Sequence, residues 1–204
     1  APQGKENFMQ PMTFQQVLVR ISGTTPMLMH NRRLSDPLDE YTRLIKEVTS
    51  KRIKTDADHA EIARLEFLGG LYYDKKAGVH VPGENIDATV RDGAKLIKKG
   101  MDIKRGVQCV DLVVPLIYEG PRSPDQLYPA FADRRRVGVN KGSSTIRCRP
   151  IFAEWGCEFT LALDVEVINP TDLRRCVELA GARVGLGDYR PRYGRFTVDE
   201  WVLG

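Results

Sequence analysis

Cysteine and histidine are scarce. The 204 residues include four cysteines, Cys109, Cys148, Cys157 and Cys176, and three scattered histidines, His30, His59 and His80. No two cysteines stand in CxxC spacing, and four are too few for a disulfide frame in a chain of this length. The expectation is reduced thiols in a cytoplasmic protein, with no metal site and no cofactor. No apolar run approaches the roughly 20 residues that span a bilayer, so no membrane partner is expected. Residues 1–12 are polar and lack the apolar centre of a signal peptide, so they read as a flexible arm. Neither a Walker lysine motif nor GxSxG occurs.

What is present is unevenly placed charge. A hydrophobic content of 42% and a charged content of 28% are those of an ordinary globular protein, and the net charge of +4 is mild. Its distribution says more. From Arg134 to Ala153 there is no acidic residue, against Arg134, Arg135, Arg136, Lys141, Arg147 and Arg149. The centre of this stretch, Asn140-Lys141-Gly142-Ser143-Ser144, is turn-like, and Val137, Val139 and Ile146 flank it. A projecting basic β-hairpin fits, and so does a hairpin whose charges serve only solubility.

The second concentration is Gly185-Leu186-Gly187-Asp188-Tyr189-Arg190-Pro191-Arg192-Tyr193-Gly194-Arg195-Phe196. Glycines allow positive φ and close approach of another chain. Arginines offer forked donors suited to phosphate, and aromatic faces can stack on bases. Together, Gly185, Gly187 and Gly194 with Tyr189, Arg190, Arg192, Tyr193 and Arg195 suggest a loop that holds a nucleic-acid backbone. A tight surface turn is the plainer alternative. These glycines follow a helix and precede a strand, the reverse of a dinucleotide fingerprint.

Gln16 to Ser22 alternates as a half-buried strand. Asp36-Pro37 is expected to open a helix, with Asp36 as N-cap. A second helix starts near Asp56 or Asp58 and stops at Gly69-Gly70. Leu71–Asp74 and Val79–Val81 form a hairpin. A third helix covers Glu84 to Lys98, with Arg91 and Lys95 on its outer side. Val107 to Tyr118 is one buried strand, Glu119 to Ala132 a loop, and Gly156 to Ile168 a long strand. A last helix from Asn169 to Gly181 leads to a closing strand, Arg195 to Val202. Without its insertions the order is strand, helix, strand, twice over, the split βαβ pattern. The expected fold is therefore α+β: a single ferredoxin-like, RRM-like domain over 1–204, with a helical insertion at 31–78 and a loop and basic hairpin at 119–150. The sheet face without helices is expected to be free for a ligand, as in RNA-recognition modules.

Three stretches, in this order, resemble the RAMP superfamily, in particular the backbone subunits of CRISPR effector complexes. They are the first strand with Gly23 and Met27-Leu28-Met29-His30, then Val79-His80-Val81-Pro82-Gly83-Glu84-Asn85-Ile86-Asp87-Ala88-Thr89-Val90-Arg91, and the glycine-rich stretch from Gly181 to Phe196. The chain departs from that pattern in its short length and in the helices of 31–78. The resemblance implies a palm with a β-hairpin thumb that stacks head to tail with copies of itself along single-stranded RNA or DNA. In that role Val139 and Asn140 wedge between nucleotides while Arg134 to Arg136 hold phosphates. Candidate nucleic-acid contacts are then Arg32, Arg33, Arg91, Lys95, Arg134, Arg135, Arg136, Asn140, Lys141, Tyr189, Arg190, Arg192, Tyr193 and Arg195.

Catalysis is not expected. Asp36 lies roughly where RNA-cleaving relatives place an aspartate, but a helix cap explains it equally well, and His30 sits among apolar residues. Three readings stand: a non-catalytic subunit coating a guide RNA beside other CRISPR-like subunits, a stand-alone phage or mobile-element protein coating single-stranded DNA or RNA, and a ribonuclease of the same fold. Contacts to the 2′-hydroxyl decide between RNA and DNA, and no motif here reports them.

Overall fold

A computed structural model describes residues 14–138 and 144–204. The fold is α+β. Ten strands appear among the described residues: β1 (Phe14–Gly23), β2 (Met27–Leu28), β3 (Tyr73–Asp74), β4 (Gly78–Pro82), β5 (Val107–Cys109), β6 (Val113–Ile117), β7 (Ala132–Gly138), β8 (Ser144–Phe152), β9 (Gly156–Asp164) and β10 (Phe196–Leu203). The α-helices are α1 (Glu40–Thr49), α2 (Asp56–Gly70), α3 (Gly83–Lys95), α4 (Gly100–Gly106), α5 (Pro124–Leu127) and α6 (Pro170–Leu179). A 3-10 turn covers Arg32–Ser35 and a π turn Ala180–Val184.

The main sheet has the order β10-β1-β9-β6-β4-β3, with β5 also on β9. All its pairings are antiparallel. Its centre is the split βαβ order expected from the sequence. The reason lies in the alternation. Val17, Val19 and Ile21 of β1 and Cys157, Phe159, Leu161 and Leu163 of β9 point inward. They share one core with Ile86, Val90 and Ala94 of α3 and with Leu173, Cys176 and Val177 of α6.

The opposite face differs from the expected ligand platform. Arg20 stands in register between Glu158 and Glu200, and the Ser22 hydroxyl donates to the Asp199 carboxylate. The face is therefore acidic to neutral where a phosphate platform needs cations.

Other expectations shift locally. Asp36 does not cap α1. Its carboxylate accepts from the Leu38 N–H at 2.9 Å in a turn, and Asp39 is the N-cap. Two residues one helical turn apart compete for the cap, and the 3-10 turn before them uses up Asp36. Helix α2 is capped by Thr55, whose side chain and that of Asp58 bond reciprocally in a capping box. The third helix ends at Lys95, and a separate α4 follows it. Val107 to Tyr118 splits into β5 and β6 because Val110 to Leu112 bulge out, held where Thr160 N–H donates to Asp111. The long strand stops at Asp164, so Val165 and Val167 lie in a turn.

The helical insertion has a structural task. Helix α2 lies against β8, and β8 with β7 and β2 forms a second, three-stranded sheet. Glu66, 5% exposed, reaches from α2 to accept the Cys148 N–H at 2.8 Å and to pair with Arg147 at 2.5 Å. Replacing Glu66 by Ala orphans the Cys148 N–H and is expected to cost about 2 kcal/mol. In a chain of this size that lowers the melting temperature by about 4–8 °C, and Glu66→Gln, which keeps an acceptor, should lose less. Thermal melts of the two variants check this.

Candidate nucleic-acid interface

Strands β7 and β8 pair from Ala132↔Pro150 to Gly138↔Ser144, a two-stranded ribbon carrying Arg134, Arg135, Arg136, Arg147 and Arg149. The ribbon is anchored along its length, with Val137 and Cys148 buried, in place of the expected projecting hairpin. Val139, Asn140 and Lys141, the expected thumb tip, lie outside the described residues.

The glycine-rich loop is zipped onto the segment that follows β1. Asp188 N–H donates to Leu28 O at 2.8 Å, Leu186 N–H to Gly194 O at 2.7 Å, and Gly194 N–H to Pro26 O at 2.9 Å. Gly185, Gly187 and Gly194 have φ of 86°, 88° and 76°. A Cβ on Gly187 would strike Leu28 O, and one on Gly194 would strike Leu186 O. The glycines are thus required by the loop's own turns and packing. The expectation that they admit another chain is corrected: the space beside each is already filled by this one.

The loop and the ribbon meet. Arg135 lies over the Tyr193 ring at 4.7 Å and the Tyr189 ring at 5.6 Å, and the two rings stand edge to face at 6.2 Å. Arg149 Nε approaches Asp188 Oδ2 at 2.7 Å. This close ion pair is poorly aligned as a hydrogen bond, and it leaves Arg149 Nη1 buried without a partner. Asp133 chelates the Arg135 guanidinium and is the main cause of its raised pKa. Tyr189 is 46% exposed, and Arg149 also lies over its ring at 5.9 Å. Such cation–π contacts help fix the orientation of the Arg135 guanidinium.

Two hollows flank this junction. One of 330 Å³ is lined by His30, Leu34, Ile45, Val137, Arg149 and Tyr189 between the insertion and the ribbon. The other, of 180 Å³, lies between α3 and the loop and includes Met29, Asn85, Thr89, Gly187 and Arg190. His30 borders both. Its pKa is lowered, first by burial and then by Arg149 and Arg147, against the opposing pull of Asp188. It is a neutral imidazole at pH 7.

The remaining candidate residues divide. The side chains of Arg134 and Arg192 make no ion pair or hydrogen bond among the described residues. Arg190 approaches Asp92 at 3.7 Å, and Lys95 pairs with the same Asp92 at 2.7 Å, so both lie by the loop. Arg195 Nε donates to Pro191 O at 2.8 Å. Arg33 is held by Asp39 at 2.8 Å and by the Tyr41 ring, and Arg32 pairs with Glu84 at 2.7 Å. Their geometry ties the insertion together and to α3. Arg91 lies on another flank of α3, in a separate cleft. Sequence reasoning missed Glu66 and Asp188, acids that position Arg147 and Arg149. The only sequence signal was Asp188 within the glycine run.

Nothing among the described residues groups three or more His, Cys, Asp or Glu side chains to hold a metal. Burial pushes the Cys109 and Cys157 thiols up to about 12 and those of Cys148 and Cys176 up to about 11, so all four are protonated at neutral pH. No described helix is long and apolar enough to cross a membrane.

No protein-family model matches the sequence, and no curated protein matches it. Among solved structures, the chain is similar to one in the cryo-EM structure of the Type III-B Cmr-beta bound to cognate target RNA, with a TM-score of 0.49 and 14% identity. The match covers 93% of this chain and 60% of that one, so the chain spans less than two thirds of its length.

Proposed function

We propose that the chain is a non-catalytic, cytoplasmic protomer that binds single-stranded nucleic acid largely without regard to sequence and assembles head to tail with copies of itself along the strand. The observation that carries this reading is the convergence of the arginine ribbon with the tyrosine-bearing loop. Arginines on an exposed ribbon supply sequence-independent phosphate contacts, and Tyr189 supplies a face for any base. Assembly draws support from complementarity within one chain. The ribbon is cationic, whereas the open sheet face carries Glu158, Asp199 and Glu200 beside exposed Ile117 and Val202. Two unlike patches that fit each other give a heterologous contact, which repeats along a filament unless its rotation closes a ring.

The non-catalytic part rests on Asp36, which is engaged with a turn amide and therefore has a structural reason to be there. Binding isotherms on labelled 40-nucleotide single-stranded RNA and DNA at two salt concentrations, with electron microscopy of the mixtures, test the proposal. Salt-sensitive binding, regular filaments and an intact strand are expected. A monodisperse monomer that binds neither strand overturns it, and cleavage lost in Asp36→Ala overturns its non-catalytic part.

A further inference from the structure

The cleft on the other flank of α3 has features the ribbon lacks. Helices α3 and α4 and strand β5 enclose 380 Å³ lined by Arg91, Lys104, Arg105, Gln108, Ile103 and Phe14, among others. Residues Asn85, Ala88 and Thr89 of α3 face the glycine loop, while Asp87 and Arg91 face this cleft. At 100° per residue the two sets project on well-separated sides of the helix.

The cleft is short of negative charge. Among the described residues the side chains of Arg91, Lys104 and Arg105 make no close ion pair and no hydrogen bond, and Arg91 feels the charge of Asp87 one turn away. The one acid of the lining, Asp87, uses an oxygen to accept the Cys109 N–H at 2.7 Å. Contrast the ribbon, where Arg135, Arg147 and Arg149 each have a carboxylate partner. Three cations against one acid around this concavity, among the described residues, raise its potential and attract an anion. Phe14, with half its surface exposed, lines the cleft together with Ile103, Val107 and Ala162. Gln108 adds an amide that can both donate and accept.

We propose that this cleft is a second nucleotide site, in which Arg91, Lys104 and Arg105 take a phosphate and the exposed face of Phe14 takes a base. A bare anion uses the cations but leaves the aromatic face idle. A phosphate ester carrying a planar base uses both. The ligand is therefore a nucleotide unit, supplied by a strand or free in solution.

The test is titration calorimetry with three probes: inorganic phosphate, adenosine 5′-monophosphate and a single-stranded tetranucleotide. Each is added to the wild type, to the triple variant Arg91→Gln, Lys104→Gln, Arg105→Gln, to Phe14→Ala, and to the ribbon variant Arg134→Gln, Arg136→Gln. Lys104 and Arg105 are exposed and Arg91 is partly so, and thermal melts confirm that each variant folds. The expected result is nucleotide binding that falls at least about tenfold in the triple variant, since charge-assisted contacts to phosphate are lost. Phe14→Ala should weaken the nucleotides and not phosphate. Tighter binding of the tetranucleotide than of the monophosphate assigns the site to a strand, and the reverse assigns it to a free nucleotide.

Binding unchanged in the triple variant overturns the proposal, as does equal binding of phosphate and nucleotide. Retention of nucleotide binding in the ribbon variant separates this site from the ribbon surface. The ribbon reading fails on its own terms if the ribbon variant binds the 40-nucleotide strand as the wild type does.

Discussion

Replacing Arg134, Arg136 and Arg192 together by alanine should reduce affinity for a 40-nucleotide single strand about a hundredfold at 50 mM salt. Three phosphate contacts at about 1 kcal/mol each give that factor. The more diagnostic outcome is the salt dependence. Each phosphate neutralised on a single strand contributes roughly 0.7 to the slope of log K against log salt, so the slope should fall by about 2. The loss should be nearly uniform across sequences, because phosphate contacts position a strand and bases specify it. Arg135 is left out because Asp133 and the two tyrosine rings hold it, and its removal would loosen the junction itself. A double variant Arg32→Ala, Arg33→Ala is the control. Both residues are paired within the chain, and their loss should leave the slope unchanged. Equal slopes for the triple variant and the wild type would mean that the ribbon's charge serves something other than a strand.

The second large effect is on the loop. Gly194→Ala should cost about 3–5 kcal/mol and lower the melting temperature by about 6–20 °C. A non-glycine residue at φ near 76° carries about 1–3 kcal/mol of backbone strain. The new Cβ would also overlap Leu186 O, and forced displacement of packed atoms adds about 1–3 kcal/mol. Neither neighbour can yield cheaply, since Leu186 is fully buried and its N–H is bonded to Gly194 O. Because this loop carries Tyr189 and Tyr193 to the ribbon, strand binding should fall with it. Calorimetric melting and a binding isotherm on the same sample check both parts. Gly78→Ala is the matched control, with a similar φ of 75° and no atom within 4 Å of the added Cβ. It isolates the strain from the clash.

The clean alternations were legible because burial of one sheet face imposes a period of two. Val17, Val19 and Ile21, and Cys157, Phe159, Leu161 and Leu163, point inward as their spacing required. The acid-free run of Arg134 to Ala153 and the glycine–arginine–tyrosine run were equally visible as separate features. Local ambiguities went the other way. Asp36 and Asp39 are both able caps, and only the 3-10 turn before them chose Asp39. Val165 and Val167 continue the apolar alternation, yet the turn after Asp164 takes them out of the strand.

By itself, then, the sequence determined the α+β class, the split βαβ order and the two places where cationic and aromatic residues concentrate. Each of those depends on neighbours along the chain, through side-chain period, turn chemistry and local charge. Tertiary structure alone decided which cations act together. It brought Arg135 onto Tyr193 across some 58 positions of chain, gave Arg147 to Glu66 and Arg149 to Asp188, and put Arg91 in a cleft of its own. It also spent the glycines inside their own loop and left the open sheet face acidic. Pairing of charges is a matter of a few ångströms in space, and Coulomb energy at such range takes no account of separation along the sequence.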